Sequence, residues 1–346
     1  MPNSWLRKKS DRSVFLWTLG QPLPILSAEE LGRERWFVIR VVSLVVFALC
    51  AVSVAGAQDP AQDGPEAVTK VTLAGLQRPD GTPSNLEVTL PQANHKAWPV
   101  VLFVHGWSAQ PSHYTGLVEN LASRGFAVAN FDQIDRYDLD LSHWERAGKT
   151  AIDGLFAAAA NPNSPLFGLL DLSKLAVMGH SYGGSTTTCL AASDRRVKVA
   201  VALTPGCQEG EWRTLLLQRA SQVRIPMLVV GAQFDPIVRA SRFARPAFNT
   251  LNTPQRLYVE IARAEHLTVT DYDIGYWQFT PLRFPFWSRT RAPQEVRTVS
   301  RRYATAWLEH HLGVRADSQG LVDGTRAAQD AASGSLSRYG TPARKP

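Results

Sequence analysis

A chain of 346 residues, 45% hydrophobic, 19% charged and 9% aromatic, has the composition of a globular protein and is long enough to bury a substantial core. Its formal charge of +7 is spread over scattered basic residues, mostly arginines. No run of them tracks a phosphate backbone, which argues against a nucleic-acid partner.

Residues 1–35 are polar and basic with no sustained period. Residues 36–57 are apolar apart from Arg40 and end in Ala55-Gly56-Ala57. Basic residues, an apolar core over 44–52 and an A-x-A site together describe a secretory signal peptide cut between Ala57 and Gln58. The expected location is therefore secreted or periplasmic, with residues 1–57 an N-terminal extension plus signal. The rival reading is a membrane anchor formed by residues 36–57, since 41–57 falls just short of a bilayer span. Without that anchor no stable membrane partner is expected. Residues 58–67 read as a linker. Of the three cysteines, Cys50 would leave with the signal. Cys189 and Cys207 allow either one disulfide or two separate buried thiols.

From Val68 onward strands and helices alternate. Segments 68–73 and 86–90 flank a Pro79-Asp80-Gly81-Thr82-Pro83 turn and predict an opening antiparallel pair. The continuous apolar run 100–104 predicts a strand buried on both faces. A helix over 114–123, a strand over 127–131 and a helix over 144–160 follow, the last stopped by Asn161-Pro162. Further strands are expected at 175–178, 197–203, 227–230 and 257–261. A long helix over 294–311 ends at Gly313 as at a C-cap. Repeated βα units of this size predict an α/β fold whose central sheet is mostly parallel, with helices on both faces. Residues 314–346, rich in Gly, Ser, Ala, Asp and Arg, read as a disordered tail.

The segment 175–193 runs from an apolar strand through Gly179-His180-Ser181-Tyr182-Gly183-Gly184 into an Ala/Leu-rich stretch. Strand, sharp turn and helix with serine at the apex match the G-x-S-x-G nucleophile elbow. Such a serine needs a base to take its proton and a carboxylate to orient that base. In this arrangement both follow the serine, in the order acid then histidine, on loops after later strands. The apolar strand starting at Met227 runs into Asp235, and the strand 257–261 runs into Ala264-Glu265-His266. Asp235 is thus the candidate acid and His266 the candidate base. His180 is held in the elbow, His95 and His143 precede it in polar loops, and His310 and His311 lie at a helix end. Asp271 and Asp273 come too soon after His266. Two backbone N–H groups must also face the developing oxyanion. Tyr182, after the serine, supplies one, and the loop His105-Gly106-Trp107 after the strand 100–104 supplies the other, with Trp107 preferred over Gly106.

With elbow, acid, histidine and H-G loop in this order, residues 68–312 resemble the α/β-hydrolase superfamily. The chain is most similar to its bacterial cutinase and polyester hydrolase branch, with related dienelactone-hydrolase-like and platelet-activating-factor-acetylhydrolase-like enzymes. Stretches 101–107, 121–132, 179–184, 226–236 and 264–266 carry the resemblance. It implies an α/β-hydrolase catalytic domain over 68–313 and metal-free, cofactor-free serine esterase chemistry. It also implies a shallow cleft flanked by Gly106, Trp107 and Tyr182. Two departures stand out. Cutinases usually place methionine where this chain has Tyr182. They also pass quickly from the histidine to the last helix, whereas here residues 267–293 intervene with Tyr272, Tyr276, Trp277, Phe279, Phe284, Phe286 and Trp287. That insert reads either as a lid or acyl-binding wall, with Trp277 a candidate contact, or as a loop packed on the body. The expectation is an exported monomeric enzyme that hydrolyses carboxylic esters. An acyltransferase of the same fold and a non-catalytic binding protein on this scaffold are the alternatives.

Overall fold

The computed structural model describes residues 58–78, 80–92, 97–271, 290–315 and 319–346. The signal-like segment, His95 and most of the aromatic insert, Trp277 included, lie outside the described residues. Among the described residues no helix is long and apolar enough to cross a membrane.

The opening hairpin pairs β1 (Val68–Gln77) with β2 (Pro83–Pro91), antiparallel as predicted. Next come β3 (Trp98–Val104), a short 3₁₀ turn at Pro111–Tyr114, α1 (Thr115–Ser123) and β4 (Ala127–Asn130). Then α2 (Leu141–Ala160), β5 (Leu170–His180), α3 (Tyr182–Ser193), β6 (Val197–Leu203) and α4 (Glu211–Gln222) follow. The chain continues through β7 (Met227–Ala232), α5 (Ala244–Thr250), β8 (Arg256–Ile261) and α6 (Pro293–His311). It closes with α7 (Gln319–Val322), α8 (Thr325–Ala332) and β9 (Leu336–Gly340). One nine-stranded sheet results, in the order β1-β2-β4-β3-β5-β6-β7-β8-β9. From β4 to β8 every pairing is parallel, and only the flanking pairings, β1 with β2, β2 with β4 and β8 with β9, are antiparallel.

Every residue of β3 is buried, because its alternate side chains enter two different apolar layers. Val100, Leu102 and Val104 pack with α2 to α5 on one face; Val101 and Phe103 pack with α1 and α6 on the other. α2 starts three residues earlier than the sequence suggests. The Asp140 side chain accepts from the Ser142 and His143 N–H groups, and this cap extends the helix back to Leu141. At the end of α6, Gly313 takes φ 66°, its N–H donates to His310 and that of Val314 to Glu309, the Schellman pattern foreseen from the glycine.

Two terminal expectations are corrected. Residues 58–67 are not a free linker. The Asp59 carboxylate receives Arg302 Nε and Nη2 at 2.9 and 2.6 Å, Arg124 Nη1 donates to the Gln62 carbonyl, and Gly64 N–H donates to Ser123 Oγ. Composition suggested a linker because this docking uses backbone groups and arginines that lie far away in sequence. Nor are residues 319–346 a disordered tail. β9 pairs with β8 in the register Tyr258↔Gly340 to Ile261↔Leu336, so the sheet extends past Gly313. Only Leu336 and Ala327 are fully buried apolar anchors there; ladder hydrogen bonds and polar contacts such as Tyr303 Oη to Asp330 (2.7 Å) do the rest. An edge strand needs little apolar side chain, which is why composition missed it.

Candidate active site

The site lies at the carboxyl ends of β3, β5, β6, β7 and β8. At β5, the chain must turn within one residue from strand to helix, and Ser181 does so at φ 58°, ψ −120°. Such a backbone is costly for a residue with a side chain and persists where its surroundings dictate it. Ser181 N–H donates to Leu203, and the Ser181 carbonyl accepts from Ser185 and Gly206. The flanking glycines make the turn possible. A Cβ on Gly183 would fall on the Val104 and His105 carbonyl oxygens, and one on Gly179 on the Gly183 carbonyl. Strain is concentrated here. The four non-glycine residues with positive φ among those described are Ser108, Ser181, Thr204 and Arg263, each just past the end of β3, β5, β6 or β8.

Ser181, Asp235 and His266 come together from three different loops. His266 Nε2 lies 2.9 Å from Ser181 Oγ and His266 Nδ1 lies 2.7 Å from Asp235 Oδ2. All three residues are buried, with Ser181 the most accessible at 9%. The other carboxylate oxygen, Asp235 Oδ1, accepts from the N–H groups of Ile237 and Val238 at 2.9 and 2.8 Å, so the acid cannot swing. A 3₁₀ turn, His266–Val269, starts at the base. A capping box closes its first turn, Glu265 and Thr268 exchanging side-chain and backbone bonds. The geometry allows Oγ to pass its proton to Nε2 while Oδ2 holds the Nδ1 proton.

Gly106 approaches the elbow so closely that a Cβ would meet Ser181 Cβ at 3.1 Å and His180 Nδ1 at 3.2 Å. Its N–H is already used, donating to Tyr114 Oη at 3.0 Å. Its carbonyl accepts from the His105 ring (2.8 Å) and from Ala109 N–H (3.1 Å). His105 is wholly buried against Phe131 and Trp144, and that burial pushes its pKa down to about 4, so the ring is neutral and carries its proton on Nδ1. Tyr182 opens α3, so its N–H is one of those a helix leaves without an internal acceptor.

The aromatic contacts differ from expectation. The Tyr182 ring is buried against Trp144 and its hydroxyl donates to the Leu139 carbonyl at 2.6 Å. It therefore braces the loop before α2 instead of forming an open cleft wall, because a long aromatic in place of methionine reaches a backbone acceptor below the surface. Trp107, by contrast, is 43% exposed. It meets Tyr137 edge-on at 5.9 Å and donates from Nε1 to the Tyr137 carbonyl. Of the six large apolar side chains exposed among the described residues, five sit on the loops after β3, β4 and β7: Trp107, Tyr137, Leu139, Phe234 and Ile237. Sequence reading passed over Tyr137, Leu139, Phe234 and Ile237, for they lie in polar loops without period or motif. Tyr114 was missed as well, being indistinguishable from a core residue at the start of a helix. Cys189 and Cys207 are buried and unbridged.

A mostly parallel sheet with a strained serine between β5 and α3 defines an α/β-hydrolase fold, as the sequence suggested. The model of the PETase family, described as PET hydrolase-like, matches residues 56–278. The chain belongs to that family. Among curated relatives, it is 33% identical over 208 residues to Cutinase 2 of Thermobifida cellulosilytica, covering 60% of this chain and 66% of the relative. It is 30% identical over 181 residues to Cutinase est2 of Thermobifida alba, covering 51% and 56%. A bis(hydroxyethyl) terephthalate hydrolase of Streptomyces coelicolor is 29% identical over 268 residues, covering 70% and 82%. The matched segment thus spans less than two thirds of the length of the two cutinases.

Proposed function

We propose that the protein is a carboxylic-ester hydrolase that works through an acyl-enzyme on Ser181. The observation that carries this is the unbroken line Ser181 Oγ–His266 Nε2 (2.9 Å) and His266 Nδ1–Asp235 Oδ2 (2.7 Å), set at a strained elbow. His266 takes the Oγ proton as Oγ bonds to the ester carbonyl carbon. The carbonyl oxygen, now negative, lies against the N–H groups of Tyr182 and Trp107. As the tetrahedral adduct collapses, His266 gives its proton to the departing alkoxide. Water then repeats the sequence on the acyl-enzyme and frees the acid and Ser181. Asp235 keeps the Nδ1 proton in place and stabilises the imidazolium while it exists. The engaged Gly106 N–H supports Trp107 as the second oxyanion donor.

The names of the relatives support ester substrates with bulky or aromatic parts, since bis(hydroxyethyl) terephthalate is an aromatic diester. The exposed rim of Trp107, Tyr137, Leu139, Phe234 and Ile237 suits such a group. The segment before Gln58 supports export, with cleavage at Ala57–Gln58. The test is hydrolysis of p-nitrophenyl acetate by residues 58–346, beside the Ser181→Ala variant, with fluorophosphonate labelling mapped by mass spectrometry. Label on Ser181 and loss of turnover in the variant are expected. Equal turnover in both proteins sinks the mechanism.

A further inference from the structure

One histidine at the elbow has no part in that mechanism. His180 directly precedes Ser181, is buried, and packs its ring 4.7 Å from that of His266. Both of its nitrogens are engaged, and the chemistry of the partners fixes which one carries the proton. Nε2 lies 3.1 Å from the main-chain oxygen of His266, which can only accept, so Nε2–H is the donor. Nδ1 is then bare and accepts the hydroxyl proton of Tyr114 at 2.9 Å. Tyr114 Oη, its proton directed there, accepts from Gly106 N–H at 3.0 Å. Burial disfavours both the imidazolium of His180 and the phenolate of Tyr114, so the array is neutral.

This array joins three loops that carry separate parts of the reaction. Gly106 belongs to the loop after β3, His180 to the elbow and His266 to the loop after β8. Tyr114 closes the same β3–α1 connection as Gly106, eight residues further on. It ends the 3₁₀ turn before α1, with its ring 4.7 Å from that of Phe103. A trans peptide is planar, so the Trp107 N–H points opposite to the Gly106 carbonyl. That carbonyl is tied to His105 and Ala109, and the N–H of the same glycine is tied to Tyr114. The direction of the Trp107 N–H is therefore set from both ends of Gly106. At the other end of the array, His180 holds the backbone of the base while Asp235 holds its ring.

The geometry points to Tyr114 and His180 as positioning residues that lock the oxyanion loop and the base loop to the elbow at one spacing. This rests on the ester hydrolase reading of the same site. Neither side chain touches the reacting atoms. Both act through Gly106 and His266. Phenylalanine at 114 and leucine at 180 would fill nearly the same volume, so a role limited to packing does not call for the polar atoms. Buried polar groups are costly unless fully paired, and here each of them is.

The experiment compares steady-state hydrolysis of p-nitrophenyl acetate by wild type, Ser181→Ala, Tyr114→Phe, His180→Leu and His180→Gln. The rate of Ser181→Ala is taken per mole of protein; each other rate is divided by the fraction of sites that a fluorophosphonate titrates. Misaiming a group without removing it costs less than the roughly 10²–10³-fold of losing an oxyanion donor, so Tyr114→Phe should lower kcat about tenfold with KM within about twofold. His180→Leu, which frees both loops, should lose more. His180→Gln keeps an amide N–H at the Nε2 position and should recover to about the level of Tyr114→Phe. Affinity for a boronic acid that forms a tetrahedral adduct on Ser181 should fall in step with kcat/KM. Per-site kcat within twofold of wild type in Tyr114→Phe and His180→Leu, with Ser181→Ala inactive, overturns the inference and leaves the hydrolase reading intact. So does a loss confined to the titrated fraction, which is a folding defect alone. An active Ser181→Ala overturns both.

Discussion

The loops around Ser181 and the N-terminal segment of the described chain are held by different kinds of contact. Around the serine, buried neutral groups dominate: Gly106 to Tyr114, Tyr114 to His180, His180 to the His266 carbonyl, Tyr182 to the Leu139 carbonyl. The N-terminal segment is fastened largely through ions. Asp59 clasps Arg302, and Arg124, which donates to the Gln62 carbonyl, meets Glu309 at 2.7 Å with both side chains 1% exposed. Hydrogen bonds between neutral groups are directional and leave the field at the serine to the Asp235–His266 couple. Ion pairs tolerate more angular play and suit an anchor better than an aim. Activity and stability should therefore respond to different substitutions.

The largest effect tests the site. Ser181→Ala should reduce turnover by about 10⁴–10⁶-fold, as in other serine hydrolases, with unfolding unchanged. Next is the anchor. Arg124→Met leaves the buried Glu309 carboxylate without its closest cation and should cost about 3–5 kcal/mol in urea unfolding, since broken buried pairs are that costly. Its turnover per titrated site should match wild type; a matching fall would erase the distinction between the two regions.

Acid acts through the buried histidines. Buried His105 is held at about 4, below the ordinary histidine value, so between these pH values the unfolded chain takes up a proton that the folded chain refuses. Its contribution is whole above the ordinary value and is lost as pH falls toward 4, about 2 kcal/mol by pH 5. His180, also held neutral by burial, acts with the same sign. Urea midpoints at pH 7 and pH 5 measure the loss, and His105→Gln should show a smaller one. The smallest effect is at the partly exposed clasp. Arg302→Ala should cost about 1 kcal/mol or less at low ionic strength, and the difference from wild type should shrink in 1 M salt.

Much of the framework was legible residue by residue. Strands such as Trp98–Val104 are uninterrupted apolar runs, and the end of α6 is announced by Gly313. α4 went unread because only Leu216 and Ala220 of its side chains are buried, too few to make a period. β9 went unread because its stability comes from the ladder with β8. In the site, Ser181, Asp235 and His266 could be named because each closes an apolar strand in a set order. Tyr182 was named as a donor, but the course of its ring could not be foreseen, since the acceptor is a carbonyl at Leu139.

By itself the sequence determined where the chain must turn, which strands are buried, and which serine, acid and histidine stand at strand ends. Those are local matters of side-chain pattern and glycine. Only the tertiary structure decided what the polar atoms face. It set Tyr114 against His180 across 66 residues and Arg124 against Glu309 across 185, and it turned the Tyr182 ring inward while leaving Trp107 at the surface. Apolar burial depends on each residue's own character, whereas a hydrogen bond or ion pair is defined by a partner, and partners distant along the chain become neighbours only when the sheet has formed.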